Sequence, residues 1–147
     1  MTDLKAGMTE PVFYTRYRVI YGDTDAGGVV YNANYLRFFE IGRTEFMREY
    51  AVAYSEIEKK GLILPVTESY LRYKAPARYD DLLAIAVSLA VVTRVSLRFH
   101  YRITCMRGER EQLLCKGFTK HACVNRDGTL TSLPETLRVR LAAIIGL

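Results

Sequence analysis

Residues 19–50, VIYGDTDAGGVVYNANYLRFFEIGRTEFMREY, constrain the fold more than any other stretch of the chain. A β-rich run breaks at an acidic, glycine-rich loop, and a long helix follows almost at once. From near Asn32 to about Ala51, the residues Tyr35, Phe38, Phe39, Gly42, Phe46 and Tyr50 recur at steps of three and four, which makes one broad apolar face. Arg37, Glu40, Arg43, Glu45, Arg48 and Glu49 interrupt that run, so it does not read as a membrane helix. A helix of this kind needs a sheet to lie on. Gly42 predicts close approach to it, because glycine otherwise costs a helix up to about 1 kcal/mol relative to alanine. Loop side chains and the free N–H groups of the helix start converge at the junction, which marks it as the candidate active site.

The rest of the chain supplies the sheet. VFYTRYRVIY, from Val12 to Tyr21, predicts a first strand, and a short helix is expected from Ser55 to Lys60, closed by Gly61. Residues 63–74 read as extended, and the turn APARYDD leads into the clearest strand. There Leu83, Ile85, Val87, Leu89 and Val91 are expected on one face, with Leu82, Ala84, Ala86, Ser88 and Ala90 on the other. Residues 96–105 alternate as cleanly, and a last long strand is expected from Gln112 to Val124, closed by the turn Asn125–Gly128. Ser132 and Glu135 are spaced as a capping box for a C-terminal helix carrying Leu137, Leu141 and Ile144. A strand, a long helix and then antiparallel strands without intervening helices is an α+β order, with helix on one face of one sheet. The 147 residues suit a single domain, with residues 1–11 as a loose arm. Open sheet edges predict pairing with another copy.

Composition narrows the function. The net charge of +5 is spread along the chain rather than blocked, which disfavours a nucleic-acid module and suits a polyanionic small molecule. Cys105, Cys115 and Cys123 form no C-x-x-C pair, and His100 and His121 stand alone, so buried thiols are expected rather than a zinc site or a disulfide framework. Asp23, Asp25 and Gly28 could open a calcium loop, but its twelfth position is Asn34 in place of the bidentate glutamate. No run approaches the roughly 20 apolar residues of a membrane span. The start, MTDLKAGMTEPVF, lacks the apolar segment of a secretory signal, so a cytoplasmic location is expected.

GDTDAGGVVYNANYLRFFEIGRTEF closely resembles the opening signature of the 4-hydroxybenzoyl-CoA thioesterase family, and most of all its branch encoded with the Tol-Pal cell-envelope system. APARYDDLL and TRVSLRFHYRI resemble that family's later strands. The resemblance implies a hot-dog fold, in which an antiparallel sheet wraps a long central helix. It also implies a homodimer or homotetramer with active sites at the subunit interface, acyl-CoA as substrate, and a link to cell-envelope proteins. No metal or redox cofactor is implied, coenzyme A being part of the substrate.

Thioester hydrolysis needs a group that attacks the carbonyl or activates water, and donors for the oxyanion that develops. By the resemblance, Asp25 is the catalytic carboxylate, as nucleophile or general base, and the backbone N–H of Asn32 is the oxyanion donor. The nearest branch carries histidine where Asn32 stands; asparagine can hydrogen-bond there but cannot titrate. Tyr31 and Tyr35 are candidates for the acyl pocket, against an ordinary core role for aromatic residues on an apolar face. Arg94 and Ser96 match the strand from which some relatives contact the coenzyme A phosphates, a task that suits guanidinium. Asp23 is expected to hold the loop. Two rival readings remain. A hot-dog dehydratase or hydratase would need a histidine near the central helix, and none lies between Val12 and Lys60. A non-catalytic acyl-CoA-binding or envelope-complex adaptor would have no need of Asp25.

Overall fold

The computed structural model describes residues 8–146. Five strands form one antiparallel sheet in the order β1-β4-β5-β6-β3. They are β1 (Phe13–Arg18), β3 (Val66–Tyr73), β4 (Leu82–Val92), β5 (Ser96–Arg107) and β6 (Arg110–Ala122). The short strands β2 (Leu62–Ile63) and β7 (Val124–Asn125) pair separately. The sheet curls around α1 (Asn34–Tyr50), while α2 (Tyr54–Lys59) and α3 (Glu135–Ile144) flank its far end. This is the hot-dog arrangement that the family resemblance implied. No helix among the described residues is long and apolar enough to cross a membrane.

The apolar stripe of α1 does what its spacing predicts. Phe38, Phe39 and Phe46 are fully buried, with Phe39 stacked on Tyr101 of β5 and Phe46 edge-on to Phe99. Gly42 is where helix and sheet meet most closely. A methyl group added there would stand 2.5 Å from Val87 Cγ2 and 2.8 Å from Ile85 Cγ2, so the glycine permits the contact.

Four local expectations are corrected. The helix begins at Asn34 rather than near Asn32, after a short 3₁₀ turn (Tyr21–Asp23) has ended the first strand segment early. Val91 leaves the face it was assigned, because a bulge lets Leu89 pair with Phe99 and Val91 with Arg98; Val91 is 41% exposed. Ser132 does not cap the last helix: Pro134 is its N-cap residue, and the Ser132 hydroxyl instead accepts a 2.6 Å hydrogen bond from Arg94. Of the expected loose arm, residues 1–7 lie outside the described residues, while the Thr9 N–H donates to Ser88 Oγ at 3.3 Å on the outer sheet face.

All three cysteines are buried thiols. His121 is buried as well, in a chain of hydrogen bonds across the inner face of β6. Its Nδ1 lies 2.9 Å from the carbonyl of Leu64, which can only accept, so Nδ1 carries the proton and Nε2 accepts from Thr119 Oγ1 at 2.8 Å. The Tyr101 hydroxyl completes the chain at 2.6 Å from Thr119 Oγ1. Burial pushes the imidazole down from 6.5 to about 4, despite the Leu64 contact. The unfolded chain therefore binds this proton first as pH falls. His121 contributes its full stabilisation above pH 6.5 and loses it progressively toward pH 4. The loss is expected to reach about 3 kcal/mol. Urea unfolding at several pH values should show this slope in the wild type and a flatter one in His121→Gln; equal slopes would exclude His121 as the source.

Candidate active site

The loop between β1 and α1 is built around Asp23. Its carboxylate is buried, with Oδ2 accepting from the Tyr17 hydroxyl at 2.8 Å and the Ile20 N–H at 3.0 Å, while Oδ1 pairs with Arg37. Arg37 reaches it from the first turns of α1 and passes over the rings of Tyr17 and Phe38 at 5.4 and 5.3 Å. The Asp23 carbonyl accepts twice more, from the Tyr31 N–H at 2.9 Å and Asn34 Nδ2 at 2.8 Å. One residue thus ties strand, loop and helix start together. That is the loop-holding role expected of it.

Asp25 sits two residues on, at the tip of a small hairpin. The hairpin closes with Asp25 N–H to Val29 O at 2.9 Å and Gly28 N–H to Asp25 O at 3.0 Å; Gly28 takes φ +82°, the left-handed conformation this bulged turn requires. Asp25 is exposed. Its Oδ1 accepts from the Gly27 N–H at 2.8 Å, and Oδ2 has no partner among the described residues. One carboxylate oxygen fixes the side chain and the other is free for chemistry.

The helix entry leaves two N–H groups open. Asn34, Tyr35 and Leu36 donate to Tyr31, Asn32 and Ala33 in a tight first turn, at 2.9, 3.4 and 3.3 Å. The N–H groups of Asn32 and Ala33 are then the ones without an acceptor among the described residues, and both residues are exposed. The Asn32 carbonyl is held from outside the loop by the Tyr73 hydroxyl at 3.0 Å. Sequence reading singled out neither Tyr73 nor Arg37. Arg37 was visible as a charge beside an apolar stripe, whereas Tyr73 lies 41 positions from Asn32 and carries no local signal.

The turn before β4 backs the loop. Val30 N–H donates to Ala77 O at 2.9 Å, Val19 N–H donates to Asp81 O at 2.9 Å, and Tyr21 stacks on Tyr79 with centroids 3.8 Å apart. Tyr35 belongs to this support. It is 3% exposed, its hydroxyl accepts from the Ala77 N–H at 3.0 Å, and burial raises its phenol. It is part of the buried core cluster. Tyr31, by contrast, is 53% exposed beside Asn32.

Arg94 and Ser96 are not brought to this site within one chain. β1 runs antiparallel to β4, with Arg18 opposite Leu82, so the Asp25 loop lies at the start of β4 and the turn bearing Arg94 beyond its end. Eleven residues of β4 separate the two ends, about 35 Å of strand. Arg94 is engaged by Ser132, and the Ser96 hydroxyl by Thr93 Oγ1 at 2.6 Å. No group of three or more potential metal ligands occurs among the described residues.

Residues 19–141 match the model of the thioesterase-like superfamily. The chain is 38% identical over 109 residues to the acyl-CoA thioesterase YbgC of Haemophilus influenzae, covering 74% of this chain and 77% of that protein. Among solved structures, it resembles a hypothetical protein of Thermus thermophilus with a TM-score of 0.82 and 31% identity, over 90% of this chain and 97% of that one. It also resembles the DHNA-CoA thioesterase of Staphylococcus aureus, with a TM-score of 0.76 and 27% identity over 83% and 79% of the two chains.

Proposed function

The chain belongs to the thioesterase-like superfamily, and on that footing we propose that it hydrolyses acyl-CoA thioesters to a free carboxylic acid and coenzyme A. The observation that carries the reading is the pairing of an exposed carboxylate with a free Oδ2 on Asp25 and an open N–H at Asn32, both on a loop clamped by Asp23. The thioester carbonyl oxygen takes the Asn32 N–H. Charge that develops on it is stabilised by this donor and by the positive end of α1.

Two routes then lead to the same products. Asp25 removes a proton from a water whose oxygen adds to the carbonyl carbon. Alternatively, Asp25 adds directly to give an acyl-aspartyl anhydride that water opens. In both, the C–S bond breaks as the tetrahedral centre collapses, and the thiolate takes up a proton. Tyr73 keeps the Asn32 peptide in place from β3, and Tyr31 lines the approach.

An open sheet edge supports a homo-oligomeric reading. β3 is hydrogen-bonded to β6 on one side only, and it exposes Val66, Tyr70 and Tyr73. An open edge of this kind is satisfied by the same edge of a second copy, which gives a homodimer, with a homotetramer formed by pairing dimers. Arg94 and Ser96 would then serve coenzyme A only across such an interface. A cytoplasmic setting with a cell-envelope link fits the resemblance of the signature to the Tol-Pal branch.

The test is thiol release from a panel of aliphatic acyl-CoAs from short to long, together with benzoyl types. Turnover of part of the panel is expected and would define the acyl class. Tight binding of acyl-CoA with no turnover would instead favour a binding protein.

A further inference from the structure

Arg43 is largely withdrawn from solvent, and its ion pair with Glu40 is loose. Its side chain is 11% exposed, and Glu40 stands 3.6 Å away with 65% of its own side chain in solvent. Guanidinium does not lose its proton in proteins, so this is a partly desolvated cation with a loose partner on the solvent side. It lines a cavity of about 370 Å³ bounded by α1, α2 and the chain from Leu62 to Pro65. Tyr54 shares the wall. Its hydroxyl is buried with no hydrogen-bond partner among the described residues, a condition that costs about 1–3 kcal/mol. Burial pushes this phenol up, opposed only in part by Arg43, so it stays a neutral donor. The remaining wall is Ile57, Thr44, the chain from Leu62 to Pro65 and Glu58, an exposed residue whose carboxylate can turn to solvent as that of Glu40 does.

Glu40 and Arg43 also line a groove of about 290 Å³ that runs back along α1 to Leu36 and Arg37. Arg37 is the residue that clamps the Asp25 loop through Asp23. At 1.5 Å rise per residue, Leu36 to Arg43 spans about 10 Å, the reach of a medium-length acyl chain.

We propose that the Arg43–Tyr54 cavity seats the far end of the acyl group and that this end carries a carboxylate, so that the favoured substrates are medium-chain acyl-CoAs with a terminal carboxyl group. The inference rests on the thioester-hydrolase reading above. A carboxylate takes the guanidinium in paired, charge-assisted hydrogen bonds and accepts from the Tyr54 hydroxyl, while Glu40 turns to solvent. A methyl end would enter the same space and leave the Tyr54 hydroxyl unpaired and Arg43 with only its loose Glu40 partner and neutral neighbours.

The experiment compares substrates matched in length but not in terminus: hexanoyl- against adipyl-CoA, octanoyl- against suberyl-CoA, and decanoyl- against sebacyl-CoA. Wild type is expected to favour the carboxyl-ended member of at least one pair by about tenfold or more in kcat/KM, the scale of an unpaired-donor penalty. Arg43→Met should erase that ratio and Tyr54→Phe should reduce it; Arg43→Gln, which also removes the charge, serves if the methionine variant fails to fold. Turnover of both members without preference, or a preference that survives loss of Arg43, would overturn the inference and leave the hydrolase reading standing. Should no member be hydrolysed, the hydrolase reading fails and calorimetric titration with free suberate decides the cavity. Binding lost in Arg43→Met would support it, and no binding to wild type would overturn it.

Discussion

Asp25→Asn is expected to lower kcat for acyl-CoA hydrolysis by about 10²-fold or more, the scale of losing a positioned base or nucleophile. The substitution keeps the side chain's size and leaves an amide oxygen to accept from the Gly27 N–H, so the hairpin turn survives. Only the charge and the basicity of Oδ2 disappear. Because Asp25 is exposed and takes no part in the core, unfolding stability should stay within about 0.5 kcal/mol of wild type. Thiol release measured beside thermal unfolding checks both halves. Activity comparable to wild type would remove Asp25 from the mechanism. A large loss of stability would mean that the hairpin, rather than the chemistry, had been damaged.

Asp23→Ala should behave in the opposite way, lowering stability and activity together. The change strips acceptors from the Tyr17 hydroxyl, the Ile20 N–H and Arg37 at once. Breaking a fully buried ion pair costs about 3–5 kcal/mol. The Arg37 side chain is 43% exposed and can recover hydration, which places this loss nearer about 3 kcal/mol. For a chain of this size that corresponds to a fall in Tm of about 6–12 °C. Activity falls because the loop that presents Asp25 and Asn32 loses its anchor, an effect transmitted by geometry rather than by contact with substrate. Asp23→Asn, which keeps the shape but cannot pair with Arg37 as an ion, should fall between alanine and wild type. A stable Asp23→Ala enzyme with full turnover would show that the clamp is dispensable.

The contrast between these two aspartates marks how far local reading reaches. Both stand in one D-x-D loop, and both are turn formers by residue type. The resemblance to a known signature separated their roles, and the structure supplies the physical distinction for Asp23: a buried carboxylate met by three donors from β1, the loop and α1. Asn34 as helix start, the bulge that turns Val91 outward, and the hydroxyl of Ser132 taken by Arg94 escaped local reading for a shared reason. Each is decided by a partner distant in sequence or by one extra residue in a ladder, and neither changes the period-2 or period-3.6 pattern that local reading detects.

What the sequence determined by itself is the order of elements and their buried faces. Apolar residues at helical spacing in 34–50 and at strand spacing in β4 and β5 leave one way to remove that surface from water, with α1 laid into the curve of an antiparallel sheet. Gly42 was legible for the same reason, since a glycine on an apolar helix face makes sense only against a close neighbour. Tertiary structure alone decided which backbone groups stay open at the helix entry, that Tyr73 holds the Asn32 carbonyl across the fold, and that Arg43 and Tyr54 share one cavity wall. Those facts depend on distances between residues far apart in the chain, and such distances are set only when the core has packed.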